Sequence, residues 1–276
     1  MKKKTTTRFA TAIAATLVLA LSCYGLARVY LAYEGARAEH MMKELGDVKI
    51  GDPESQVLAI LQRYGNYRKA PEDLAKFDKA DYGYEAEIGP SGIYYFIDRD
   101  STGMFCRMTR AVLSSLNPRL RRAIGLRRWS VDGRVGIKEN SVTIVRGMVL
   151  VEGSHEWLAG EWTLVQTIPP YRIDRFLTSP VVSWPHDMNH YLVGWSRLLA
   201  MEKQDGGGEG GETWITPDAT DEERRSAHEF SWQCLTSRSG CRTVCDLFPA
   251  AVDYASSGTW KERKEACTPS PRNSYW

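Results

Sequence analysis

The sequence predicts an α+β fold: one N-terminal transmembrane helix, then an antiparallel sheet with packed helices, ending in a Cys-rich C-terminal segment. Three observations predict it. A charge-free run of 19 residues, Phe9 to Ala27, follows the basic residues Lys2, Lys3, Lys4 and Arg8. Between Trp129 and Ile168, β-branched residues alternate with polar ones, the period of strands with one solvated face. Four cysteines fall within the last 43 residues.

At 1.5 Å per residue the apolar run covers roughly 28 Å, close to the thickness of a hydrocarbon core. Arg28 interrupts it, placed to snorkel to headgroups, and Tyr30 and Tyr33 suit the aromatic interface belt. The basic start stays in the cytoplasm by the positive-inside rule, so the C-terminal bulk is exported. The expected organisation is a cytoplasmic basic start at 1–8 and a signal-anchor at 9–31. A polar helical linker at 32–47 leads to an extracytoplasmic α+β domain at 48–267 and a frayed tail at 268–276. This places the chain in the inner (cytoplasmic) membrane, single-pass, with its N-terminus inside and its domain in the periplasm or outside. A cleaved signal peptide, a lipoprotein signal with lipid on Cys23 and a buried helix of a soluble protein are the alternatives, the last opposed by the lysine cluster. A cleaved signal usually has a shorter apolar region, and here the apolar run continues past Cys23.

Hydrophobic content of 43% and charged content of 25% belong to a globular chain and exclude a disordered one. From Met41 onward 30 basic residues face 32 acidic ones. A near-neutral domain lacks the positive excess that phosphate neutralisation requires, so no nucleic acid is expected as a partner.

Asp52-Pro53-Glu54 opens a helix over Pro53 to Tyr64: Asp52 as N-cap, Pro53 at the first position, Glu54 at the positive dipole end. Val57, Ile60, Leu61 and Tyr64 recur at helical spacing, and Gly65 ends the run. Gly92–Asp98 and Met104–Thr109 read as strands, and Leu113–Leu126 contains Pro118 and a short basic helix. Strands follow from Trp129 to Ile137, from Val142 to Val151 and from Glu161 to Ile168, with Glu139-Asn140 as the turn between the first two. Tyr191–Met201 reads as a short helix and Gly206–Gly211 as a flexible insertion. Thr220 caps a helix whose Ala227, Phe230, Ser231 and Cys234 share one face.

In an exported domain Cys234, Cys241, Cys245 and Cys267 are disulfide candidates, with three possible pairings. Cys106 is the odd one, read as a buried thiol. Zinc is disfavoured, because no close cysteine pair repeats as zinc ribbons require. His186 and His190 are four apart and are the metal candidates, with His155 or Asp187 as further ligands. The plainer account is packing or surface histidines. Arg107, Arg110, Arg119, Arg121, Arg122, Arg127 and Arg128 form a basic patch with no acid between Asp100 and Asp132, suited to anionic headgroups or an acidic partner. The plainer account sends them to different faces, each with its own counter-charge. Trp157, Trp162, Trp184, Trp195, Trp214 and Trp232 are enough to line a glycan or peptide groove, or a core. No complete nucleophile motif and no cofactor signature is present.

The pattern Gly-Asp-x-x-x-x-Val-x-x-x-Leu at Gly51–Leu61 resembles the turn and helix of small outer-membrane-assembly lipoproteins, among them the lipoprotein component of the β-barrel assembly machinery. The resemblance implies a helix that follows a short turn and packs on an antiparallel sheet, and it carries no catalytic residue. Together with Ser239–Cys245, the chain also resembles membrane-anchored envelope proteins of acidobacterial type, a likeness that brings no activity with it. The expected function is a non-enzymatic binding or scaffolding component of the cell envelope. Its expected partners are the membrane through 9–31 and another envelope protein or anionic headgroups. An extracytoplasmic hydrolase with dispersed catalytic residues, and a glycan- or small-ligand-binding module, are the competing classes.

Overall fold

The computed structural model describes residues 2–64, 67–69, 80–89, 117, 120–121, 124–153, 157–167, 191–197, 208–237 and 239–249. It is a mixed helix-and-sheet structure: a long apolar N-terminal helix, a seven-stranded sheet and short helices packed against them. The expected strands Gly92–Asp98 and Met104–Thr109 lie outside the described residues.

Helix α1 runs unbroken from Lys2 to Gly46. It is long and apolar enough to cross a membrane. Residues 11–26 are exposed. Beyond them Leu31, Glu34, Gly35, Ala38, Met41, Met42 and Leu45 are buried, at the three- and four-residue steps that make one helical stripe. The stretch expected to be a polar linker is therefore a core helix. Its stripe contains Glu34, Gly35 and Ala38, so its apolar contrast is low. Arg37 makes the difference: its guanidinium pairs with Glu34 at 3.0 Å and donates to the Tyr64 carbonyl at 2.8 Å. That second bond satisfies an end carbonyl of helix α2, Glu54–Tyr64.

The strands are β1 Tyr67–Lys69, β2 Tyr82–Ile88, β3 Trp129–Lys138, β4 Ser141–Glu152, β5 Trp157–Val165, β6 Tyr191–Arg197 and β7 Gly208–Ile215. Their order is β1-β2-β3-β4-β5-β7-β6, and every pair is antiparallel except β5 with β7. The expected purely antiparallel sheet is thus mixed. Two further expectations are corrected here. Tyr191–Arg197 is a strand rather than a helix, and Gly208–Gly211 of the glycine-rich stretch open β7, which is paired on both sides. Pairing partners supply what local propensity lacks.

The β3–β4 hairpin agrees with the sequence. Glu139 and Asn140 take φ of 52° and 60°, the two left-handed residues of a type I′ turn. Gly51, with φ of 93°, makes the turn after α1 and donates its N–H to the Val142 carbonyl at 2.8 Å. Glu54 N–H bonds the Asn140 carbonyl at 3.0 Å, which fixes α2 to the hairpin tip. Asp52 does not cap α2 as expected. Its carboxylate accepts from Lys49 N–H and from Gln56 Nε2, so it closes the preceding turn instead. The helix begins one residue later than expected, at Glu54, whose carboxylate accepts from the Tyr82 and Tyr84 hydroxyls at 2.8 and 2.6 Å.

Residues facing the helices are Val131, Gly133 and Val135 on β3, Val145, Gly147 and Val149 on β4, and Leu158, Gly160 and Trp162 on β5. Gly133 and Gly147 are paired. Absence of a side chain there lets Met41, Met42 and Leu45 of α1 settle on the backbone: a Cβ on Gly147 would collide with Met42 and the Trp162 ring, and one on Gly133 with Leu45. Gly160 receives Phe230 and Phe248 in the same way. Three short helices complete this layer: α3 Asp221–His228, α4 Gln233–Thr236 and α5 Val244–Leu247. The helix expected to run on through Cys234 breaks at Glu229-Phe230. Phe230 turns onto Gly160 and stacks on Phe248 with ring centroids 5.0 Å apart.

Candidate functional site

A cleft of about 740 Å3 lies between the end of α1 and α3, within the range typical of ligand pockets. Each helix gives it one stripe. Glu39, Met42, Lys43 and Gly46 come from α1, and Asp221, Arg224, Arg225 and His228 from α3. Both sets follow the spacing i, i+3, i+4, i+7, so each is a single face. Lys49, Asp47, Glu229, Phe230 and Trp232 complete the walls. Four cationic and four anionic side chains thus surround an aromatic and thioether floor, a lining suited to a polypeptide or another zwitterionic group.

His228 closes the inner end. Its ring lies 4.2 Å from that of Trp162, and a Cβ on Gly46 would press on its Nδ1. Its Nε2 and the Trp162 Nε1 are both buried without a hydrogen-bond partner among the described residues. Burial, with Arg224 nearby, holds the imidazole neutral by lowering its pKa to about 4.

The opposite face of the sheet carries charge. Arg134 pairs with Asp132 at 2.6 Å and with Glu85 at 3.4 Å, and Arg146 pairs with Glu161 at 3.1 Å. Asp132 is only 5% exposed, and burial raises its carboxyl to about 6. Arg134 opposes that shift and Glu85 adds to it. Desolvation outweighs even a close guanidinium here, because the carboxyl is removed from water while Arg134 stays partly exposed.

The described arginines of the expected basic patch are internal. Arg121 is 2% exposed and forms a forked pair with Glu152, at 2.7 and 2.9 Å from Nη2 and 3.2 Å from Nε. Arg127 is buried too. It donates to the Glu152, Gly153 and Ser239 carbonyls at 3.0, 3.1 and 2.8 Å. Half-buried Arg128 faces Glu152 at 3.9 Å. Arg121 and Arg128 thus hold the segment before β3 to the end of β4, and Arg127 links both to the C-terminal segment. Arg107, Arg110, Arg119 and Arg122 lie outside the described residues, as do His155, His186, Asp187, His190, Cys106 and Cys267.

Cys234 and Cys241 form a disulfide, and Cys245 is disulfide-bonded as well. Cys23 is a free, exposed thiol on α1. Trp162 and Trp214 are core residues at 0% and 1% exposure, so they line no groove, while half-buried Trp232 borders the cleft. Among the described residues no group of His, Cys, Asp or Glu is arranged to hold a metal ion. His228, Asp132 and Glu152 escaped the sequence reading. Each sits on a polar register that looks solvated until its covering is known. The chain matches no family model, no curated protein and no solved structure.

Proposed function

We propose that this chain is a single-pass membrane-anchored protein of the cell envelope, with its domain outside the cytoplasm, and that it binds another envelope component rather than catalysing a reaction. The observation that carries the reading is the continuity of α1. One helix is apolar and exposed at its front, and at its rear it is both a core element and a wall of the cleft. Such a helix fixes the binding cleft at a set height above the bilayer. The basic start supports an N-terminus inside, and the Cys234–Cys241 disulfide supports an oxidising compartment.

The test combines topology with contact. The protein should resist alkaline extraction from membranes, and its domain should be reached by protease without breaching the inner membrane. A photo-cross-linking residue at position 43 or 225, both in the cleft, should give a discrete adduct with one partner, and one at exposed position 166 should not. Labelling only after the inner membrane is broken, or cleft adducts no different from those at 166, would defeat the reading.

A second reading is an extracytoplasmic hydrolase with dispersed catalytic residues, for which Asp132, buried beside Arg134 with its carboxyl raised to about 6, is the acid to test. Hydrolysis of ester, amide or glycosidic probes that disappears in Asp132→Asn, with the fold intact, would decide for it.

A further inference from the structure

The domain meets α1 earlier than an anchor followed by a linker would allow. The Tyr24 hydroxyl donates to the Ile124 carbonyl at 2.9 Å, and Arg28 Nη1 donates to the Gly125 carbonyl at 2.8 Å. The arginine expected to reach headgroups is held by the domain. A corner of the domain that carries Leu120, Arg121, Ile124 and Gly125 therefore lies level with the end of the apolar run. Helical bonds from Arg121 N–H to Asn117 and from Ile124 N–H to Leu120 shape it, and Gly125, with φ of 75°, turns the chain out of it.

Three observations about this corner converge. Leu120 is 53% exposed, the one exposed large hydrophobic outside α1 among the described residues. On the outward side of α1, Leu26, Val29 and Tyr33 remain 57%, 69% and 61% exposed, so apolar helix surface continues past the level of the corner. From Tyr24 to Tyr33 that overlap is about 14 Å of helix axis, more than the roughly 5–7 Å of one headgroup layer. A bilayer that covers the outward apolar face thus reaches the corner. Finally, the two corner carbonyls are satisfied by α1 side chains, as backbone near hydrocarbon requires.

We propose that this corner is a second membrane contact, with Leu120 inserted at the boundary between headgroups and acyl chains of the leaflet that α1 leaves. The proposal rests on the anchored reading above. It makes the domain sit flush on the bilayer, with the Glu139–Asn140 tip at the far end of α1, where it bonds the Gly51–Glu54 segment; Tyr24 to Leu45 alone is a rise of roughly 30 Å.

The test is depth-dependent quenching of the full-length protein in bilayers. An environment-sensitive fluorescent amino acid is placed at position 18, 120 or 139, and the lipids are brominated either near the headgroup or at mid-chain. The expected result is strong mid-chain quenching at 18, quenching at 120 by the shallow bromines above all, and none at 139. Quenching at 18 with 120 as dark to bromine as 139 would overturn the seat and leave the anchor standing. No quenching at 18 would overturn the anchor and the seat together. Because Leu120 is exposed, its replacement leaves the fold intact, and unchanged thermal unfolding of the position-120 protein checks this.

Discussion

Asp132 and His228 respond to the same cause, burial, with opposite signs. The Asp132 carboxyl is raised to about 6 and the His228 imidazole lowered to about 4. A raised carboxyl binds its proton more tightly in the folded state. Its contribution is therefore complete below the unfolded value near 4 and is lost as pH rises to about 6. A lowered imidazole behaves in reverse: its contribution is complete above about 6.5 and is lost as pH falls toward 4. The two slopes oppose each other across pH 4 to 6, so the native protein should show a shallow profile there. Asp132→Asn should steepen the loss of stability on acidification, and His228→Gln should reverse it. Each change is on the order of 2–3 kcal/mol across the window, read from urea unfolding at pH 4.5 and 7. Parallel profiles for all three proteins would show that neither group is desolvated as described. Arg121 and Glu152 give a second residue-scale expectation. Arg121→Ala removes the forked partner of a buried carboxylate and should cost about 3–5 kcal/mol. The double replacement Arg121→Met with Glu152→Leu should recover most of that loss. A cost under about 1 kcal/mol for Arg121→Ala would mean the pair is solvated.

Among the elements, packing of α1 depends on what the sheet leaves out. Gly147→Ala forces a methyl against Met42 and the Trp162 ring, overpacking that should cost about 1–3 kcal/mol. Gly25→Ala has nothing within 4 Å and should be neutral or slightly stabilising through helix propensity. Equal effects in chemical denaturation would contradict the close seating of α1 on the β3–β4 backbone. The same elements show what a sequence reveals unaided. The β3–β4 hairpin and α2 were legible, because their alternation, turn residues and helical spacing are local signals. Strands β6 and β7 were not. A glycine-rich β7 has little propensity of its own and is a strand because β5 and β6 pair with it on both sides. The buried stripe of α1 was missed for a related reason: Glu34 is tolerated inside only because Arg37, one turn on, neutralises it. As for the site, the charges lining the cleft look solvated in sequence, and only the approach of α3 to α1 makes them one surface.

For the molecule as a whole, α1 is at once a long apolar helix and part of the core, so the apolar segment and the fold are not separable at residue 47. Leu31, Met41, Met42 and Leu45 are at most 2% exposed, and burying four such side chains is worth about 8 kcal/mol. That is comparable to the whole net stability of a typical domain. A chain beginning at Val48, the boundary that composition suggests, should therefore lack a cooperative unfolding transition. A chain beginning at Tyr24 keeps the buried stripe, the Tyr24–Ile124 bond and the Arg28–Gly125 bond. Exported to an oxidising compartment so that Cys234 and Cys241 pair, it should fold, leave the membrane fraction and unfold cooperatively. Near-UV circular dichroism and urea titration of the two truncations distinguish these outcomes. A cooperative transition in the Val48 chain would show that α1 rests on a sheet that is already stable. Its loss in the Tyr24 chain would mean that the bilayer, not the domain, holds the helix in place.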